Sequence, residues 1–311
     1  MKILFAGTPD FAIAPLKNIL EHGYKVVGVI TQADKPQGRK GVLTPPPVKV
    51  FAQGQNLTVL QPTKIRDEIK ALKAFGADVM VTCAYGQILT QEVLDCFPKG
   101  VWNIHAGLLP KYRGASPIQS CILAGETQTG VCVMQTEQGL DTGDILRESR
   151  TEILPTETYG ELSNRLSQIG AELIIDALKA IENGDYRLQK QTGDVVQTVR
   201  KISKEQAKID FSKNAIEIVN LVRGMNPAPV AYAEIDGNKI NIYRAEIVDF
   251  CGCEDAKTGE IVCDIPKKGL IVKCGDGFVK LTEVQASGGK VMRGADFLNG
   301  RKVRAGQVFT C

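Results

Sequence analysis

Asn103, His105 and Asp141 are the side chains of this 311-residue chain whose types and spacing point most directly to chemistry. Two of them lie in Asn103-Ile104-His105-Ala106-Gly107-Leu108-Leu109-Pro110-Lys111-Tyr112-Arg113-Gly114-Ala115. The third lies in Gly139-Leu140-Asp141-Thr142-Gly143-Asp144. An amide can donate to a carbonyl oxygen on which charge develops. An imidazole, with an ordinary pKa of about 6.5, can donate to that oxygen or relay a proton near neutral pH. A carboxylate can orient the imidazole and accept a proton. Together the three describe an acyl-transfer site. A lone histidine is more often structural, and an Asp-Gly loop is more often a plain turn. Asn103, two residues before His105 and on the same face of a strand, changes that balance for the histidine. The company of His105 does the same for Asp141. His22, the other histidine, precedes Gly23 in the setting of a helix end and is assigned no chemistry.

Elements must bring these groups together. Apolar runs at residues 3–6, 26–30, 58–60, 79–83 and 101–104 read as strands. They alternate with helical segments near 11–20, 64–75 and 90–96, the pattern of a parallel sheet covered by helices. Residues 158–182 carry Leu162, Leu166, Ile169, Leu173 and Leu178 at helical spacing and read as the last helix of this unit. From about residue 230 the texture changes. Short strands punctuated by Asp236-Gly237, Gly269 and Gly275-Asp276-Gly277 predict hairpins in a small β-rich domain or barrel, with the boundary near 190–207. His105 ends a strand, at the carboxyl edge where open α/β sheets place ligands. The first strand runs into Gly7-Thr8-Pro9-Asp10, whose single glycine does not match the three-glycine dinucleotide fingerprint, so NAD binding is disfavoured.

Composition narrows the class. A hydrophobic fraction of 43% suits a globular protein, and no run of about 18 apolar residues suggests a membrane span. Met1 leads directly into a strand pattern instead of a signal peptide, so the expected location is the cytoplasm. Nine scattered cysteines read as reduced core thiols. Cys251, Cys253, Cys263 and Cys274 lack the paired spacing of a zinc site, so no metal is expected. Net charge is only +3, but its distribution is uneven. Arg187, Lys190, Arg200, Lys201, Lys204, Lys208 and Lys213 face three acids over residues 187–213, and Lys290, Arg293, Arg301, Lys302 and Arg304 form a second cluster. These clusters permit a polyanionic partner, and solvated lysines explain them equally well.

Asn103, His105 and Asp141, with Leu108-Leu109-Pro110 and Arg113-Gly114-Ala115, resemble the signature of the 10-formyltetrahydrofolate-dependent formyltransferases. The likeness runs nearly end to end. It takes in Phe5-Ala6-Gly7-Thr8-Pro9-Asp10-Phe11, Gln32-Ala33-Asp34-Lys35-Pro36-Gln37-Gly38-Arg39, Pro46-Pro47-Val48-Lys49, Ala84-Tyr85-Gly86, Lys201-Ile202-Ser203-Lys204-Glu205 and Asn226-Pro227. The resemblance implies an α/β fold: a Rossmann-like catalytic domain with a mostly parallel sheet over residues 1–189, a basic linker over 190–207, and an OB-like β-barrel over 208–311. It implies Asn103, His105 and Asp141 as catalytic residues. It also implies 10-formyltetrahydrofolate as the formyl donor, in a folate pocket between the 84–94 and 139–144 loops. Ile88, Leu89, Leu108, Leu109, Pro110 and Asp144 are its candidate lining, although core packing reads Ile88 and Leu89 nearly as well.

The acceptor implied is methionyl initiator tRNA, engaged by a monomer. Residues 34–41 read as a mobile basic surface loop. By resemblance that loop enters the acceptor stem, with Arg39 at the terminal base pair and Lys35, Lys40 and Lys49 on phosphates. Lys204 and Lys208 would hold the outside of the tRNA. The chain departs from the family at Gly107, where a serine is usual, and at Ala228, where a tryptophan is common. Rival readings keep the chemistry on a nucleotide-sugar amine or a glycinamide ribonucleotide, or make the chain an inert RNA-binding protein. The basic loop and second domain count against the glycinamide reading. The loop and the basic linker count against the sugar reading, and the intact triad counts against the inert one.

Overall fold

The first strand, β1 (Lys2–Gly7), carries Ile3, Leu4, Phe5 and Ala6 with no exposed surface. Such a run is apolar on both faces, which only a sheet covered on both sides can bury. In the computed structural model, which describes every residue except Arg39, Lys40, 194–197, Asp264, Pro266, Arg301, Lys302 and Cys311, β1 is an interior strand of a seven-stranded sheet. Around it lie β2 (Lys25–Ile30), a small ribbon of β3 (Lys35–Gln37) and β4 (Val42–Thr44), β5 (Val59–Leu60), β6 (Val79–Cys83) and β7 (Val101–His105). Next come β8 (Arg113–Gly114), β9 (Gln128–Gln135), β10 (Ile145–Glu152) and β11 (Thr198–Val199). The sheet order is β10-β9-β7-β6-β1-β2-β5. Strands β5, β2, β1, β6 and β7 run parallel, and β9 and β10 are antiparallel additions at one edge. Strand order reverses at β1, so Gly7, Cys83 and His105 end at the crevice side of the sheet.

The chain divides into two compact units. The first comprises Met1–Pro117, Gln128–Glu152 and Ser163–Arg200, and the second comprises Ile118–Thr127, Ile153–Leu162 and Lys201–Cys311. Helices of the first unit are α1 (Ile13–Glu21), α2 (Pro47–Gly54), α3 (Ile69–Ala74) and α4 (Gln91–Leu94). Next in the chain are α5 (Pro117–Leu123) and the long α6 (Tyr159–Asn183). Gly170 on α6 lets the helix approach the back of the sheet closely. A Cβ there would stand 3.0 Å from Ile104 Cγ2 on β7. Ile104 and Trp102 thus anchor one face of β7 in the core, and strand alternation turns Asn103 and His105 to the other.

Two sequence expectations change. Residues 64–75 are not one helix: Ile65–Asp67 is a 3-10 turn whose first N–H is capped by Gln87 Oε1 at 2.8 Å, and α3 begins only at Ile69. Residues 34–41 are not an open loop throughout. Lys35, Pro36 and Gln37 pair with Thr44, Leu43 and Val42, so the basic segment is one arm of a ribbon with Gly38 and Gly41 at positive φ beside its tip.

The second unit carries α7 (Ala215–Gly224), β12 (Ala231–Ile235), β13 (Asn238–Val248), β14 (Ile261–Cys263), β15 (Leu270–Lys273), β16 (Phe278–Ala286), β17 (Met292–Arg293) and α8 (Gly294–Asn299). Its sheet is antiparallel, in the order β12-β13-β16-β15-β14, with β17 on β16. Asp236 and Gly237 both hold positive φ, the backbone a two-residue hairpin turn requires. Register shifts at Ile242/Arg244 and Arg244/Ala245 bend β13 and curl the sheet into a half-barrel. Ile240, Ile242, Leu281 and Val284 line its buried face with Phe211 and Phe309, whose rings stack at 5.3 Å. No helix among the described residues is long and apolar enough to cross a membrane.

Candidate active site

Strand β7 delivers two of the three expected groups. Asn103 is partly buried and stands opposite Thr82 of β6 in the parallel register, and Thr82 Oγ1 donates to Asn103 Oδ1 at 2.8 Å. That bond occupies the oxygen end of the carboxamide and leaves its NH2 as the group to offer a ligand. His105 closes the strand, is 4% exposed, and directs Nδ1 toward Asp141 Oδ2 at 3.6 Å. The backbone of Tyr112 is also hydrogen-bonded to the ring. A carbonyl accepts only, so Nδ1 carries the proton and Nε2 keeps its lone pair in the neutral ring. Nε2 is buried and has no hydrogen-bond partner among the described residues. Burial pushes the imidazole below its ordinary pKa, opposed by the Asp141 carboxylate and the Tyr112 carbonyl and reinforced by the Arg113 charge. His105 is therefore neutral at pH 7, a proton acceptor that no polar group among the described residues meets.

Asp141 reaches the imidazole through a constrained loop. Its backbone holds φ 50°, uncommon for a residue with a side chain, and the surroundings fix it there. Gly114 N–H donates to Asp141 Oδ2 at 2.8 Å, and Gln191 Nε2 donates to the carbonyls of Asp141 and Gly143 at 2.8 and 2.7 Å. Gln191 Oε1 in turn accepts from Arg113 Nε and Nη2 at 3.0 and 2.6 Å, closing a ring of contacts around the carboxylate. Gly114 is itself pinned. Strand β11 pairs with β8, Ala115 N–H donates to the Val199 carbonyl at 2.8 Å, and a Cβ on Gly114 would collide with that carbonyl oxygen. Gln191 carried no signal in the sequence, where it is one polar residue in a basic stretch. Arg113, part of the Arg113-Gly114-Ala115 stretch, spends two donors on Gln191.

The remaining candidates separate by exposure. Leu89 is a core member beside Leu4, Ala6 and Tyr85, and Leu109 packs with Cys132, Met134 and Ile145. Ile88 is 83% exposed, so the core reading does not hold for it. Leu108, Pro110 and Asp144 are partly buried. Gly107, where the resembled family has serine, lies against the imidazole. A Cβ there would stand 3.2 Å from both His105 Nε2 and Pro117 Cβ, so any side chain displaces one of them by a few tenths of an ångström.

Among the basic candidates, Lys35 Nζ donates to Gln32 Oε1 at 2.5 Å. Lys49 Nζ is committed to both Asp34 oxygens at 2.9 and 2.8 Å and to Gln61 at 2.7 Å, and it holds the Asp34 carboxyl below its usual range. Arg39 and Lys40 lie outside the described residues. In the second unit, Lys204 is exposed and Lys208 Nζ lies 3.9 Å from Glu234. Cys251, Cys253, Cys263 and Cys274 are free thiols, and among the described residues no group of three His, Cys, Asp or Glu is placed to hold a metal ion.

Known proteins match both parts of the sequence. Residues 1–178 match the family described as formyl transferase, and residues 201–302 match the formyl transferase C-terminal domain. A methionyl-tRNA formyltransferase of Neisseria meningitidis is 45% identical over 310 residues, which cover 98% of this chain and 99% of that one. Among solved structures, a methionyl-tRNA formyltransferase from Clostridium thermocellum superposes with a TM-score of 0.56 at 19% identity, over 80% of this chain and 94% of its own. HypX from Aquifex aeolicus in complex with tetrahydrofolic acid superposes with a TM-score of 0.67 at 16% identity, over 96% of this chain and 47% of its own. Family matches in both parts of the sequence, with a relative this similar along nearly its whole length, make the chain a member of the formyl transferase family.

Proposed function

We propose that this protein transfers the formyl group of 10-formyltetrahydrofolate to the free α-amino group of methionyl initiator tRNA in the cytoplasm, giving N-formylmethionyl-tRNA. One observation carries the chemistry: the buried, unpartnered Nε2 of His105, in a neutral ring whose Nδ1 is held by the Tyr112 carbonyl and faced by Asp141. The 45% identity to a methionyl-tRNA formyltransferase along nearly the whole of both chains supports the acceptor.

The folate supplies a formyl carbon activated on its N10 nitrogen, and the residues here fit its transfer. Asn103 donates its amide N–H to the formyl oxygen as negative charge develops there. His105 Nε2 takes a proton from the attacking amine as the new C–N bond forms and passes it to N10 as the old C–N bond breaks. Between the two steps the ring is an imidazolium, and Asp141 supplies the opposing charge. Ile88, Leu108, Pro110 and Asp144 have surface to offer the folate, whereas Leu89 and Leu109 shape its walls from the core.

For the tRNA we assign Lys35 on the ribbon, Arg39 and Lys40 in the segment 34–41, Lys204 in the segment 190–207, which we take as the linker between catalytic and tRNA-binding domains, and Lys208 just after it. Lys49, already paired with Asp34, braces the base of the ribbon. Neutralising Lys204 and Lys208 together is expected to weaken all tRNAs alike. The slope of log affinity against log salt should flatten by about one to two, read by titration from low to moderate ionic strength. An unchanged slope removes them from the interface.

The decisive assay mixes the protein and 10-formyltetrahydrofolate with charged initiator tRNA, charged elongator tRNA or a free amino sugar. Formyl transfer confined to the charged initiator is the expected result. Transfer to the amino sugar alone overturns the assignment of the acceptor.

A further inference from the structure

We infer that Thr82 is a positioning residue, which sets the orientation of the Asn103 carboxamide and so its ability to donate to the formyl oxygen. The inference rests on the proposed role of Asn103. Strand β6 is otherwise apolar: Val79, Met80, Val81 and Cys83 are fully buried around the single hydroxyl of Thr82, itself 6% exposed. A β-branched residue suits the strand, but valine would do so equally well, so packing does not explain the hydroxyl. The parallel register puts Thr82 directly across from Asn103, on the same face of the sheet.

A carboxamide is nearly symmetric in shape and opposite in polarity at its two ends. Turned by half a revolution, Asn103 would present oxygen lone pairs to a developing oxyanion and repel it. The Thr82 hydroxyl separates the two orientations in energy. As found, it gives its one proton to Asn103 Oδ1 at 2.8 Å. With the amide reversed it would have to accept from the NH2 group, and its proton would be left with the Trp102 carbonyl at 3.5 Å, at the limit of a hydrogen bond. The hydroxyl therefore keeps the NH2 facing the crevice before any substrate arrives, and no reorientation is needed at the moment of reaction.

The test is a double-mutant cycle read by single-turnover formylation, with thermal unfolding as the check on folding. Thr82→Val keeps the shape of the side chain and removes the proton. It should lower the rate by about 3- to 10-fold, the range for loss of one neutral hydrogen bond, with KM for folate and tRNA unchanged. Thr82→Ser, which keeps the hydroxyl, should recover most of that loss. Asn103→Ala alone should cost about 10²-fold or more, and adding Thr82→Val to it should cost nothing further. An equal loss from Thr82→Val in both backgrounds overturns the inference, since Thr82 would then act elsewhere. So does an unchanged rate in Thr82→Val beside a crippled Asn103→Ala. Full activity in Asn103→Ala would instead remove the role of Asn103, and the inference with it.

Discussion

Replacing His105 by alanine is expected to lower kcat by roughly 10²- to 10⁴-fold, the range for loss of a positioned proton-transfer group. The imidazole is the only group at the site with the features the task demands. Its Nε2 is buried and unpartnered, and burial holds the ring neutral at pH 7, so it is ready to accept. Its Nδ1 is held by Tyr112 and faces Asp141, so gaining a proton does not release the ring. The other histidine offers no substitute: His22 sits at the exposed end of α1 with its Nδ1 against the Asn18 carbonyl at 2.9 Å. Loss should fall on kcat and leave KM for either substrate near its starting value, because the ring acts on the proton and binds little else. Added imidazole should restore part of the rate through the space left behind, whereas His105→Gln, which can donate but not relay, should stay slow. Stopped-time formylation of the purified, folded variants decides it, and near-normal turnover in His105→Ala removes His105 from the chemistry.

The sequence carried the framework of this site because its signals are local. The alternation in Val101-Trp102-Asn103-Ile104-His105 predicts one buried face and one chemical face, and the fold keeps that assignment, with Trp102 and Ile104 in the core. Asp236-Gly237 announces its hairpin because the required backbone is rare outside such residues. Strand β10 gave no such signal. Ile145-Leu146-Arg147-Glu148-Ser149-Arg150-Thr151-Glu152 is mostly polar because it lies at the sheet edge, where half its surroundings are water. The ribbon of β3 and β4 reads as a loop in sequence, since three pairs of residues leave too little alternation to see. Thr82 and Gln191 were illegible for a further reason. Each acts through a partner distant in sequence, 21 residues for Thr82 with Asn103 and 50 for Gln191 with Asp141, and only the sheet register for the first or the Ile145–Gln189 bridge for the second makes the pair.

The Asp141→Asn variant separates orientation from charge. Asparagine keeps the shape of the side chain and an oxygen able to accept from Gly114 N–H, so the loop held by Gln191 should persist. What disappears is the negative charge 3.6 Å from His105 Nδ1. That charge is the leading influence raising the imidazole pKa against the burial that lowers it, so its loss moves the pKa further below the ordinary histidine value. A hydrogen-bonded or charge-assisted partner of this kind contributes about 1.5 to 3 kcal/mol, so kcat should fall roughly 10- to 150-fold as the imidazolium becomes harder to form. The sign is open to direct measurement. With only two histidines in the chain, an imidazole NMR titration contains two resonances, and His105→Ala identifies the one from position 105. In the unaltered protein that resonance should titrate below about 6.5, the ordinary value. In Asp141→Asn its midpoint should move to lower pH, with the acid limb of kcat moving the same way and the plateau reduced. A midpoint that stays in place or rises means the carboxylate does not govern the ring, and Asp141 would then serve only to shape its loop.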